Sequence, residues 1–306
     1  MKIRIFTKNN SALSGVIEAL LLVALVAVIL STIQLIYIPE IMKQKESDHL
    51  DEVENQFSKL KSTIETQSMM GVIQSSETIA YSPMSSIISL GTKRLPYFVT
   101  SDTYGKIQIN DINVCLASNT IIDLEDLPNE YLNGIPLTSI RYDFFTMYTS
   151  YDPLYILEGG GIIYNQTGKQ NETGEVMRVI PAITIENNTN TTKIYFFIPV
   201  FDCIPGKDNI QGLDEAYIRT NYSSHITYSD TDVSYIRFYS NYLDAWNNCF
   251  IKDGEGILWE YYNHNPKYIN VDKYSNYIEI SPGSKKIDIE FTIVKLGIQT
   301  GYGMVI

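Results

Sequence analysis

The sequence predicts an α+β protein: a long N-terminal helix packed on a mainly antiparallel, β-sandwich-like head. Three observations carry this reading. Residues 13–38 form a membrane-length apolar run, residues 39–70 place apolar side chains at helical spacing, and beyond Gly71 short β-rich runs alternate with Gly and Asn turns.

The first twelve residues, MKIRIFTKNNSA, hold Lys2, Arg4 and Lys8 and no acid. Leu13–Ile38, LSGVIEALLLVALVAVILSTIQLIYI, follows, and Glu18 is its one ionisable side chain before the Tyr37 phenol. About 20 apolar residues suffice to cross the hydrocarbon core of a bilayer. A cleaved secretory peptide would have a shorter apolar region, about 7–15 residues, closed by an A-x-A-like site. Two other forms fit better. In an uncleaved signal anchor, basic residues precede the span and none follows until Lys43, which sets the N-terminus in the cytoplasm. In the other form, the leader is cut on the cytoplasmic side and the whole apolar helix stays on the mature chain.

SALSGVIEALLLVALVAVIL resembles the N-terminus of archaeal type IV pilin-like and archaellin-like proteins, with their basic leader, small residue before the cut and apolar helix. The resemblance implies a class III, prepilin-type signal cut between Ala12 and Leu13 by a prepilin peptidase. It departs from the family at Lys8, four residues before Ala12, and at Gly15, where many archaeal members have proline. It further implies a single-pass cell-membrane protein with an extracellular head, related pilin subunits as partners and placement in a surface filament. Glu18 would then serve assembly, pairing with the freed N-terminal amine of a neighbouring subunit. A carboxylate inside an apolar span wants such a partner. The alternative is that Glu18 lies at the cytoplasmic interface, where it reaches headgroups at much smaller cost.

Pro39 marks a kink or a restart after the membrane run. Residues 39–70 then read as an amphipathic helix, because Leu50, Val53, Phe57, Leu60 and Ile64 are spaced 3, 4, 3, 4. Charged residues fill the other faces, and Lys43, Glu46 and Gln67 fall on the extensions of the stripe. Two heptads are short for a coiled coil, so the stripe is expected to pack on the protein's own sheet. Gly71 fits a helix stop.

Residues 71–306 form the head, as one domain or two subdomains. Strands are expected at Ser86–Leu90, Pro96–Val99, Lys106–Ile109, Asn113–Ala117, Thr138–Asp143, Leu154–Leu157, Gly161–Tyr164 and Met177–Ile185. Others are expected at Lys193–Phe201, Ser234–Tyr239, Tyr277–Ile280 and Ile287–Val294. The last puts Ile287, Ile289, Phe291 and Ile293 on one face, the period of a half-buried strand. Asp244–Ile251 is the best later helix, with Trp246 and Phe250 four apart. The glycines of Tyr155–Gly161, YILEGGG, are turn or bulge material, since no Lys-Ser/Thr follows to make a phosphate loop. The stretch Leu90–Tyr97, LGTKRLPY, loosely resembles large heads of methanogen pilin-like proteins, which implies cell-surface placement.

The 306 residues carry a formal charge of −12, which argues against nucleic acid as a partner. Three cysteines, Cys115, Cys203 and Cys249, forbid a complete set of internal disulfides. One bridge, Cys203–Cys249, is open, and so are three reduced core thiols. Sequons at Asn165, Asn171, Asn187, Asn190 and Asn221 offer N-glycosylation sites, which must lie on the surface to be used. His49 sits on the charged second helix and reads as solvated, and His225 and His264 lie beside Ser and Asn. No H-E-x-x-H, C-x-x-C or G-x-S-x-G pattern is present, and the acidic Ser229–Asp232 and Asp214–Glu215 loops lack Ca²⁺-loop spacing. The expectation is a structural or adhesive, non-enzymatic chain with no metal and no cofactor. A signal-anchored extracellular domain binding a ligand or carbohydrate is the alternative. An extracellular hydrolase stands third and would need clustered carboxylates in a pocket of the head.

Overall fold

The apolar run and the amphipathic segment form one continuous rod: α1 (Asn10–Thr32), a π-helical turn (Ile33–Tyr37) and α2 (Ile38–Gln74). Pro39 neither stops nor restarts it. Proline lacks an N–H, so the carbonyl four residues earlier loses its helical partner. The helix absorbs this by widening one turn, and the Ile38 N–H bonds the Ile33 carbonyl five residues back. Gly71 does not stop the rod either. Its role is close approach, because a Cβ there would lie 2.1 Å from the Tyr222 ring. The computed structural model describes residues 10–74, 83–92, 103–125, 131, 133–168 and 173–301.

The head is built of three sheets. Sheet A runs in the order β1 (Met84–Ser89), β12 (Glu215–Asp230), β16 (Lys286–Thr300), β10 (Thr191–Cys203) and β9 (Ile183–Asn187). Sheet B runs β11 (Asn209–Gly212), β2 (Tyr104–Asn110), β5 (Ser139–Phe145), β6 (Tyr151–Glu158), β7 (Gly161–Gly168) and β8 (Thr173–Val179). Sheet C runs β14 (Ile269–Lys273), β15 (Ile278–Pro282), β13 (Ile236–Phe238), β3 (Ile121–Leu124) and β4 (Ile135–Pro136). Three short helices, α3 (Ile112–Ser118), α4 (Leu243–Ile251) and α5 (Trp259–Tyr262), fill the connections. Among the described strands the pairing is antiparallel except for β10 with β16.

Two cores share sheet A, one on each face. Ile287, Ile289, Phe291 and Ile293 of β16, with Ile194, Phe196, Ile198 and Val200 of β10, pack against sheet C and α4. From Val294 and Phe201 onward the opposite parity is buried: Val294, Leu296, Ile298, Phe201 and Cys203 face sheet B and α2. Neighbouring residues point to opposite faces of a strand, so the buried face changes between residues 293 and 294 and between 200 and 201. The third long strand makes the same change through a register shift between Tyr222 and Ser224. Before it, Ile218 and Tyr222 face the helix side, and after it Ile226 and Tyr228 pack on the other core.

Two strand expectations are corrected. Asn113–Ala117 is helical, within α3. The Asp111 carboxylate caps it, accepting the N–H groups of Asn113 at 3.1 Å and Val114 at 3.2 Å, and Asn119 ends it in the left-handed region at φ 56°. Met177–Ile185 is two strands in two sheets, β8 and β9, parted around Pro181. Pro96–Val99 lies outside the described residues. The strand β12 carries Asn, Ser, Thr and His among its apolar positions, and β14 has only two apolar residues among Asn, Asp and Lys, which hid them.

Glycine to alanine in a helix interior ordinarily stabilises by about 0.5–1 kcal/mol. At position 71 the sign is expected to reverse. Gly71→Ala drives a methyl into the Tyr222 ring and should cost about 1–3 kcal/mol of stability, read as a lowered melting temperature. An unchanged or raised melting temperature would show that Tyr222 swings aside freely.

Candidate functional site

The rod divides sharply into a bare half and a seated half. Across the apolar window none of the side chains is buried, and Leu20 and Leu35 are 63% and 77% exposed. Glu18 lies in this bare half, on α1. The bond between Ala12 and Leu13 also falls within α1. Among the described residues of the rod, Ile38, at the junction with α2, is the first that is buried, just where the apolar run ends.

The seat is longer than the apolar stripe. Leu50, Val53, Phe57, Leu60 and Ile64 are buried between sheets A and B, as the spacing required, and Met42 is buried two turns earlier. Polar residues continue the same face at both ends. Glu46, fully buried, accepts the N–H groups of Met147 (2.8 Å) and Tyr148 (3.1 Å) on one oxygen and of Thr149 (2.9 Å) on the other. At the far end the Gln67 amide donates to the Thr220 carbonyl at 3.1 Å. Gln56 closes the edge, accepting the Ser89 N–H at 2.8 Å and donating to the Ser89 hydroxyl at 3.0 Å.

His49 is not solvated. It is buried beside Phe144, with ring centroids 4.7 Å apart, and its Nε2 lies 2.9 Å from the Tyr142 hydroxyl. That hydroxyl donates its single proton to the Leu90 carbonyl at 3.1 Å, so it accepts from His49, which fixes the Nε2–H tautomer. Burial pushes the imidazole down to about 4, with the Glu52 charge opposing weakly. A second buried ionisable group, Glu158, closes the β6–β7 turn through the left-handed Gly159 and Gly160. It accepts from the Ser240 hydroxyl at 2.6 Å and the Trp246 indole N–H at 2.8 Å. Burial pushes its carboxyl up to about 7 in spite of those two donors.

An open polar groove of about 840 Å³ lies between one edge of sheet C and the start of α4. Asn119, Asp123 and Glu175 line it with Asn241, Asp244, Lys273 and Asn276. Glu175, on strand β8, lies beside the first turn of α4, and burial raises its carboxyl, with the Asp244 charge adding to the rise. Asp244 is paired with Lys273. Beside the groove, and sharing Tyr239 with its lining, the solvent face of sheet C carries an aromatic row. Tyr274 stacks on Tyr277 at 4.6 Å, Tyr277 meets Tyr239 at 5.2 Å, and the Arg237 guanidinium lies 4.0 Å from the Tyr235 ring centroid.

The remaining sequence expectations divide. All three cysteines are free and buried, so the Cys203–Cys249 bridge is not formed. Cys203 belongs to the core against α2, whereas Cys249 sits on α4, whose Trp246 and Phe250 belong to the core on the other face of sheet A. Burial pushes each thiol up to about 12. Asn187 and Asn190 are exposed at the β9–β10 turn, as glycan acceptors must be. Asn165 is buried on β7, and Asn221 is half-buried on β12 with its amide oxygen turned inward. Asn171 lies outside the described residues. Among the described residues no cluster of His, Cys, Asp or Glu is placed to hold a metal ion. No protein-family model, curated protein or solved structure matches the chain.

Two predictions follow from the buried ionisable groups. Replacing Glu46 by alanine leaves three partly buried N–H groups without their acceptor. The loss should be about 3 kcal/mol, with faster hydrogen exchange confined at first to residues 147–149. Exchange unchanged in that loop would deny the clamp.

The second concerns pH. His49 is held below its unfolded value of about 6.5, so its contribution is present above pH 6.5 and is lost as pH falls through 4. Glu158 is held above its unfolded value of about 4.3, so its contribution is present below pH 4.3 and is lost as pH rises through 7. Each amounts to roughly 3 kcal/mol, of opposite slope over nearly the same window. Their sum should be nearly flat between pH 4 and 7. Denaturant titrations should show stability falling with rising pH in His49→Gln and rising with pH in Glu158→Gln. Parallel profiles in all three proteins would refute the assignment.

Proposed function

We propose that the chain is a membrane-anchored cell-surface subunit of pilin-like plan, with a structural or adhesive role. One observation carries this reading: a single rod whose apolar half is wholly bare while its other half is locked into a β head. A bare helix of this length and composition is out of place in water. It requires either lipid or the matching helices of neighbouring subunits. The leader ahead of Leu13, with Lys2, Arg4 and Lys8, supports a cytoplasmic N-terminus and an extracellular head.

Glu18 fits both environments in sequence. Early in the mature chain it would sit near the cytoplasmic interface while the subunit is in the membrane. In an assembly it would face helices, where a buried carboxylate needs a cationic partner such as the amine freed by cleavage. The rigid seat supports the same reading. Burial begins at Ile38, so no flexible stalk separates span from head, and packing of the bare helices would set the spacing of the heads.

Intact mass of protein purified from its native membrane tests the proposal. Loss of the residues up to Ala12 is the expected outcome, followed by loss of assembly, with insertion retained, in Glu18→Leu. A chain that keeps Met1 would be an anchored ectodomain instead, and cleavage beyond Ile38 would remove the anchor altogether.

A further inference from the structure

We propose that the solvent face of sheet C and the groove beside it bind neutral, polyhydroxylated ligands, namely uncharged glycans. Ile236 and Phe238 point into the core, so Tyr235, Arg237 and Tyr239 between and beside them point outward. Ile278 and Ile280 fix Tyr277 outward in the same way. The row Tyr274–Tyr277–Tyr239 therefore contributes to no core, and Tyr274 is 44% exposed. A stacked pair of phenols, Tyr274 and Tyr277, with Tyr239 tilted against it, offers an apolar platform with polar edges on a solvent face, at little cost in side-chain freedom.

The groove adjoins that platform, and Tyr239, Ser275 and Asn276 are shared or neighbouring positions. A sugar ring needs an apolar surface under its C–H face and, around its rim, groups that both donate and accept. The amides of Asn119, Asn241 and Asn276 do both, and Asp123 accepts through two oxygens. Sites for small ligands combine shape with a few such placed polar groups. An apolar peptide is a poor match, since Ile121 and Leu243 are the groove's apolar lining. An anionic glycan is disfavoured by Asp123, Glu175 and Asp244, because the one lysine of the lining is already paired with Asp244.

The surface lies on the head, and its test is independent of how the N-terminus is processed, so either reading can fail alone. The full chain in detergent micelles is applied to a printed array of neutral and acidic glycans. Retention on one or more neutral glycans is expected. Tyr274→Ala and Asn241→Ala should each weaken it tenfold or more, with far-UV circular dichroism and melting temperature unchanged, and Tyr274→Phe, which keeps the stack, should restore it. Both positions are exposed, so neither change threatens folding. No retention on any neutral glycan, preference for acidic glycans, or retention indifferent to both alanine substitutions would overturn the proposal.

Discussion

The seating of α2 between sheets A and B is the interaction on which the rest of the structure depends. Six of its apolar side chains, Met42, Leu50, Val53, Phe57, Leu60 and Ile64, are almost completely buried. At about 1.5–3 kcal/mol for each, their gross contribution is roughly 10 kcal/mol or more. That is comparable with the whole net stability of an ordinary domain. Without the helix, the inner faces of the two sheets, including Ile107, Ile140, Tyr142, Ile218 and Leu296, would stand open to water. The helix is a structural layer of the head, and the bare half is the continuation of that layer beyond the fold.

The buried polar groups give the seat something the apolar stripe does not have, a defined register. A ridge of aliphatic side chains tolerates sliding by a helical turn at modest cost. Glu46 does not, because its carboxylate answers three consecutive N–H groups. His49 against Tyr142 and Gln67 against Thr220 repeat the constraint at other heights along the rod. The point where the helix leaves the head is therefore fixed at Ile38, and the π turn just before Pro39 lies outside the seat. Any distortion the proline introduces is taken up in the free half, without disturbing the packed one.

Much of this was legible in the sequence, and what was not shares one physical cause. The 3–4 spacing of residues 50–64 and the alternation of residues 285–294 are local signals, and both the helix and the strand stand where those signals put them. His49 reads as solvated, and Glu46 and Gln67 read as the places where the apolar stripe stops, because they are polar, yet each has a partner about 90 or more residues away in the chain. Burial of a polar side chain is decided by that distant partner, so no local pattern reports it. Gly71 was taken as a stop for the same reason, since Tyr222 is remote in sequence. The groove is drawn from widely separated segments, among them residues 118–123, 175, 239–244 and 273–276, none of which has a motif of its own. In α3, by contrast, the signals were local and were outweighed: Asp111 and Asn119 are ordinary helix punctuation around an alternating, strand-like Asn113–Ala117.

The change of buried face along sheet A ties the two cores of the head together. A pair of subdomains would be joined by a linker crossed by few contacts. Here the long strands β10, β12 and β16 each run through both cores, burying one face in one half and the opposite face in the other. Neither core can open without disrupting strands that the other requires. The parallel pairing of β10 with β16 strengthens this, because the chain between them contains β13, β14, β15 and α4, the parts that cover the second core. Sheet A thus carries α2 on one face and the tyrosine-bearing sheet C on the other, so the outer face of sheet C is coupled through continuous strands to the helix that leaves the head at Ile38.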